Sequence, residues 1–98
     1  MSSNLQENDT VLVGKKPLMN YVVACLTLFD SGMSPIRVKA RGLAISRAVD
    51  AIELLRRAFI KDLKIDKIST DTLIFTKSSG IDRSISTIEI IISKPDTS

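Results

Sequence analysis

The stretch Val38 to Arg57, VKARGLAISRAVDAIELLRR, leaves the chain few folds to choose from. It begins as the end of a β-branched strand, turns a basic corner at Lys39-Ala40-Arg41-Gly42 and continues as a long helix. Ile45, Ala48, Val49, Ile52, Leu55 and Phe59 recur at three- and four-residue spacing, which predicts an apolar stripe facing a core. Ala44, Ala51, Leu54 and Ala58 add a second, flatter strip. A surface helix of a monomer needs one buried face, so the extra strip predicts burial against a partner chain as well. Lys39 and Arg41 lie at the positive end of the helix macrodipole, where a cation is unfavourable by about 0.3–1 kcal/mol. Cations there make sense when an anion joins them at the helix N-terminus.

The flanking sequence completes the pattern. Thr10 to Val13 reads as a short strand closed by Gly14. Gly14-Lys15-Lys16-Pro17 forms a tight connection, with Pro17 suited to the first turn of a helix that runs to about Asp30. Leu18, Val22, Leu26 (or Cys25) and Phe29 form its stripe, and Gly32 stops it. Ser34 to Ala40 reads as a strand with one wet face, since Ile36 and Val38 alternate with Arg37 and Lys39. After the second helix, Lys61 to Lys64 is a polar link to a long strand, Ile65 to Lys77. Its apolar phase slips between Ile65 and Ile68, which predicts a bulge or a change of face. Ser78-Ser79-Gly80-Ile81-Asp82 is a turn-rich tip with Lys77 and Arg83 on its shoulders, and the last strand, Ile85 to Ser93, puts Ser86, Ile88, Ile90 and Ile92 on one face. The order is β-α-β-α-β-β, in the α/β class of α+β sandwiches: two helices packed on a four-stranded mixed sheet, with a long protruding final hairpin. Right-handed crossovers place both helices on the same sheet.

At 98 residues the chain makes one domain, small enough to favour oligomerisation. Residues 1–8 read as a disordered polar tail, 9–94 as the domain and 95–98 as a second tail. The composition is 44% hydrophobic but only 4% aromatic, so the core must be aliphatic. No apolar run approaches the roughly 18–20 residues that span a bilayer, and no signal-peptide pattern opens the chain, so no membrane partner is expected. Cys25 reads as a buried small hydrophobe. With no histidine and a single cysteine, common zinc sites and Ser-His or Cys-His chemistry are excluded. The acids are scattered and give no pair for acid–base catalysis, so no enzyme, cofactor or metal is expected. Net charge is +3, but Glu7, Asp9 and Asp96 lie near the ends. Without them residues 11–94 hold 14 bases against 8 acids, or +6, a balance that suits an anionic partner.

Three features could carry chemistry. The Gly14-Lys15-Lys16-Pro17 loop offers two lysines and backbone N–H groups at a helix start, either as a phosphate cradle or as a solvated turn. It is not a P-loop, because the Gly-Lys-Ser/Thr spacing is absent. Both helix starts follow strands of one sheet and should lie at one edge, so Lys15, Lys16 and Arg41 should converge. The hairpin tip could enter a nucleic-acid groove with Lys77 and Arg83, or could be an ordinary exposed ribbon. On the second helix Arg47–Asp50, Glu53–Arg56 and Glu53–Arg57 fall at pairing distances, which predicts ordinary surface ion pairs.

The segments VLVGKKPLMNYVVACLTL, IRVKARGLAISRAVDAIELLRR and ISTIEIIISK together resemble the Alba family of small archaeal chromatin proteins, over roughly Val11 to Lys94. The resemblance implies a fold similar to the C-terminal domain of translation initiation factor three. It also implies a dimer, of one chain or with a paralogue, that binds double-stranded DNA, and often RNA, with little sequence preference. Lys15 and Lys16 match the family's lysine pair, the first of which can be acetylated, and Asn20 belongs to the same GKKPxMNYV stretch. Arg41 matches the basic corner and Lys77 and Arg83 the groove-reaching arm, and Asn20, Lys39 and Arg47 are further expected nucleic-acid contacts. Ala51, Leu54, Leu55, Ala58, Ile88 and Ile90 are the implied dimer contacts, and Phe59 the implied dimer–dimer contact on DNA. Leu43 stands where close relatives often carry a second arginine, which implies a weaker corner contact or an apolar one. The implied setting is the cytoplasm, on the chromosome; an RNA-binding module or ribonucleoprotein subunit is the alternative.

Overall fold

Ile36, Val38 and Ala40 are buried while Arg37, Lys39 and Arg41 are not, so β2 (Ile36–Arg41) has one dry and one wet face. A computed structural model of the chain describes residues 9–76, 80 and 82–95. The other elements are β1 (Thr10–Leu12), α1 (Leu18–Asp30), α2 (Ala44–Ala58), β3 (Lys64–Thr76) and β4 (Asp82–Ser93). The sheet has the order β1-β2-β4-β3, with β1 parallel to β2 and the other pairs antiparallel. The expected mixed sheet and element order are therefore present, as an α+β fold.

Both helices lie on one face, chiefly over β1 and β2. The core between the layers is almost wholly aliphatic, centred on Val22, Ile36, Val38, Leu55 and Ile92. Tyr21 and Phe29 are its aromatic members among the described residues. Cys25 is 2% exposed, as a small hydrophobe should be, and burial pushes its thiol up to about 12. α1 ends where Gly32 adopts φ +95°. The Met33 N–H donates to the Leu28 carbonyl and the Gly32 N–H to Phe29, the paired bonds of a Schellman cap.

α2 is rotated from its expected setting. Ala48, Ala51, Ile52 and Leu55 face the core, while Val49 and Phe59 are 42% and 47% exposed. Ala51 thus belongs to the core stripe and Val49 and Phe59 to the outer side. A small alanine lets the helix axis come close to the sheet, and spacing alone did not weigh that. The phase slip in β3 is real: the register shifts between Ile65 and Lys67. Beyond it β3 and β4 continue as a ribbon, with β3 exposed along nearly its whole length.

Candidate nucleic-acid interface

Because β1 and β2 are parallel, the chain leaves both at the same edge of the sheet. The Gly14–Pro17 loop leads from one into α1, and Gly42-Leu43 leads from the other into α2. Arg47, one turn into α2, joins the two corners. Its Nε donates to the Gly14 carbonyl at 2.9 Å and its Nη2 donates to the Lys16 carbonyl. The Tyr21 hydroxyl holds the loop from the other side, accepting the N–H groups of Gly14 and Lys16, each at 2.9 Å. Two carbonyls and two N–H groups of one short loop are thereby fixed by side chains of both helices.

Two expectations change with this geometry. The loop N–H groups of Gly14 and Lys16 are used by Tyr21 and do not face outward as an anion cradle. Arg47 is a strut rather than a partner of Asp50, because two backbone carbonyls in its reach outcompete one solvated carboxylate. Of the three ion pairs expected on α2, the structure contains Arg56–Glu53 at 2.6 Å. What the loop presents to solvent is the pair of lysine side chains. Lys15 and Lys16 are exposed and border an open hollow of about 580 Å³ with Leu12, Val13, Gly14 and Tyr21. Asn20 is exposed in the first turn of α1.

The second corner adds Lys39 and Arg41, both exposed on the helix-free face of β2. They line a groove of about 630 Å³ that crosses this face to Asp71 and Leu73 on β3. Gly42 takes φ +59° and its N–H donates to the Ser86 carbonyl at 2.8 Å, which turns the chain sharply into α2. Leu43 then stands 97% exposed at the start of the helix. Neither helix has an acid in its first turn or a side-chain N-cap bond. The described ion pairs neutralise other cations: Arg37 with Asp9 and Glu89, at 3.9 and 3.5 Å, and Arg56 with Glu53. None involves Lys15, Lys16, Lys39 or Arg41. Uncompensated cations at two helix starts on one sheet edge make a site for an extended polyanion.

Arg83 is exposed on β4, opposite Phe75 on the hairpin, while Lys77 lies outside the described residues. Of the expected dimer contacts, Ala51, Leu55 and Ile90 are at most 3% exposed in the core of their own chain and cannot also meet a partner. Leu54 and Ile88 are half-buried, and Ala58 and Phe59 are exposed. Val49, Ile65 and Ile68 add apolar surface, at 42%, 37% and 57% exposure. Among the described residues no cluster of His, Cys, Asp or Glu could hold a metal, and no helix is long and apolar enough to cross a membrane.

The family model described as Alba matches residues 9–72, which take in both corners and the start of the ribbon. The chain belongs to the Alba family. A DNA/RNA-binding protein Alba from Methanothrix thermoacetophila is 46% identical over 92 residues, covering 92% of this chain and all of the relative. The protein of the same name from Methanocella arvoryzae is 42% identical, over 93% of this chain and 95% of its own. Among solved structures, Alba from Thermoplasma volcanium superimposes with a TM-score of 0.78 at 44% identity, covering 87% of this chain and 99% of that one. An Alba protein from Trypanosoma brucei gives 0.73 at 28% identity, over 91% of this chain and 71% of its own. The Alba resemblance stated from the sequence is therefore correct.

Tyr21 and the strut role of Arg47 escaped the sequence reading. A signal existed for the tyrosine: a lone tyrosine on the apolar face of a helix needs a partner for its hydroxyl, and the nearest unpaired donors are in the preceding loop. Nothing local announced Arg47.

Proposed function

We propose that this Alba chain binds double-stranded DNA without marked sequence preference, as a dimer, and coats or compacts it as a chromatin protein on the chromosome. The observation that carries the reading is the braced corner: four exposed cations, Lys15, Lys16, Lys39 and Arg41, with no acid partner among the described residues, around two helix starts without a side-chain cap. The relatives named DNA/RNA-binding proteins support it. Phosphates sit at the lysines and Arg41, and the hairpin with Lys77 and Arg83 reaches along a groove. Such contacts position a duplex and carry no base information.

Dimerisation is supported by apolar surface that the monomer leaves uncovered. The helices lie over β1 and β2, so Ile68 on β3 and the outer side of α2 around Leu54 and Ala58 remain open. We infer that these, with Ile88, meet a second copy or a paralogue, and that Phe59 joins one dimer to the next on DNA. Acetylation of Lys15 would remove one cation from a loop whose shape it does not set. RNA binding is a second reading, favoured by the same relatives' names; exposed cations do not discriminate between the two duplexes.

The test is parallel titration of DNA and RNA duplexes over a salt series. The expected result is a linear fall of log affinity with log salt, losing up to about 0.9 of slope in Lys15→Gln on B-form DNA. Salt-independent binding, or a Lys15→Gln protein with unchanged slope and affinity, would refute the phosphate role of the loop.

A further inference from the structure

The ribbon carries more apolar surface than a solvated hairpin needs. Leu73, Ile74 and Phe75 are consecutive and exposed to 40%, 69% and 43%. β4 is the one element with which β3 packs closely. The register sets Leu73 opposite Ile85 and Phe75 opposite Arg83, and these directly paired residues share one face of the ribbon. Ile74 and Asp82, paired with Ser84 and Thr76, lie on the other face. The outer part of the ribbon therefore carries an aromatic ring beside an arginine on one face, with an aliphatic rung behind it and the Asp71–Thr87 rung behind that, while Asp82 is turned away. A solvated two-stranded ribbon is better served by polar residues at such positions.

The distribution of aromatic residues sharpens the point. The chain has three phenylalanines and one tyrosine. Tyr21 and Phe29 are in the core and Phe59 closes α2, which leaves Phe75 alone far out on the ribbon. No ion pair engages Arg83 among the described residues, so the partner of this face should be anionic as well as able to accept a flat apolar group. The minor groove of a duplex meets both demands. Proteins that bind there insert phenylalanine, leucine or isoleucine between base steps, with arginine alongside in the groove.

We propose that Phe75, supported by Leu73 and Ile85 and steered by Arg83, is a wedge that enters the minor groove, partly unstacks one base step and kinks the duplex. The inference rests on the nucleic-acid reading above and adds to it the mode by which the ribbon engages. The loops with Lys15, Lys16 and Arg41 hold the phosphates, and the wedge selects steps that open easily. Preference then follows deformability rather than base identity.

The experiment is a competition between two duplexes identical except for one central mismatch, together with energy transfer between dyes at the duplex ends. A mismatch lowers the unstacking cost. The wild-type protein should prefer the mismatched duplex on the order of tenfold, the ratio given by about 1.4 kcal/mol, and should shorten the end-to-end distance. Phe75→Ala should bind the two duplexes equally and shorten them less, and Phe75→Leu should keep part of both effects. Lys16→Ala should weaken both affinities by one factor and leave the preference intact. Circular dichroism should report the same fold for all, since Phe75 lies outside the core. A wild-type protein that binds duplexes without the mismatch preference would sink the wedge alone. So would a Phe75→Ala protein that keeps the preference, or one that changes only oligomeric mass. A wild-type protein that binds neither duplex would sink the nucleic-acid reading and the wedge with it.

Discussion

Tyr21→Phe removes a single oxygen and tests whether the loop is held in shape for its ligand. That oxygen accepts two backbone N–H groups at 2.9 Å from a side chain that is 7% exposed. A hydrogen bond contributes about 0.5–1.5 kcal/mol net, and a donor left buried without a partner costs more. Here the hollow beside Gly14, Lys15 and Lys16 is open, so water can reach the loop and the loss should stay near the low end. The expectation is about 1–2 kcal/mol of stability. For a domain of this size each kcal/mol lowers Tm by about 4–8 °C, measured at one protein concentration because dimerisation makes Tm concentration-dependent. A loosened loop must also be ordered again on binding, and fixing the equivalent of one residue, at about 1 kcal/mol, lowers duplex affinity roughly fivefold. The lysines themselves remain, so the salt slope should not change. Thermal unfolding by circular dichroism and a salt-series titration read both quantities. An unchanged Tm with unchanged affinity would refute the brace, and a shallower slope would mean that the mutation displaced a phosphate contact instead.

Arg47→Met separates strut from contact in the same assay: a strut lowers affinity and Tm with the slope intact, whereas a phosphate contact removes up to about 0.9 of slope. Gly42→Ala should cost about 1–2 kcal/mol from its φ of +59° alone, because the added Cβ would meet Ile85 at an ordinary 3.6 Å; an unchanged Tm would show that the corner can relax. Burial raises the Cys25 thiol from 9.0 to about 12, so between those values the unfolded chain holds fewer protons and stability falls as pH rises. Cys25→Ala should flatten that decline relative to wild type, and parallel pH profiles would show that the thiol ionises without opposition.

Much of the fold was legible because each element carries its own signal. β2 alternates, α1 ends on a glycine that must take positive φ, and the slipped phase of Ile65 and Ile68 could only be absorbed by a bulge. The delivery of the two loops to one edge followed from topology, since β1 and β2 are parallel. The rotation of α2 was not legible. Ala51 and Val49 are both apolar, and which of them meets the sheet depends on how closely the helix approaches. Arg47 was hidden for a related reason. Spacing along a helix reveals partners on that helix, whereas its acceptors lie more than thirty residues earlier in the chain. Threonines dominate the ribbon's composition and hide its bulky groups. The register shows instead that Leu73, Phe75 and Ile85 collect on one face.

The way the chain spends its acids separates cations that build from cations that bind. Arg37, near the start of β2, meets Asp9 just ahead of β1 and Glu89 on β4, which ties the chain entering β1 to β2 and β4. Arg56 meets Glu53 on its own helix. Arg47 is satisfied by carbonyls, an arrangement that fixes its position and leaves its full charge in the field of the corner. The loop therefore receives its shape from neutral groups, the Tyr21 hydroxyl and backbone amides, and from a cation that no carboxylate quenches. Had an acid made that brace, it would have cancelled one of the charges the corner displays. Positive potential near a helix N-terminus is unfavourable in the free protein, and the exposure of Lys15, Lys16 and Arg41 keeps that penalty small through solvent screening. A polyanion laid across the edge removes the penalty and displaces the screening ions. Rigidity of the loop and cations that no described ion pair engages are thus two parts of one design. A variant that placed an acid at the corner, such as Leu43→Glu, should weaken the positive field where the chain turns into α2 and lower duplex affinity in the same titration.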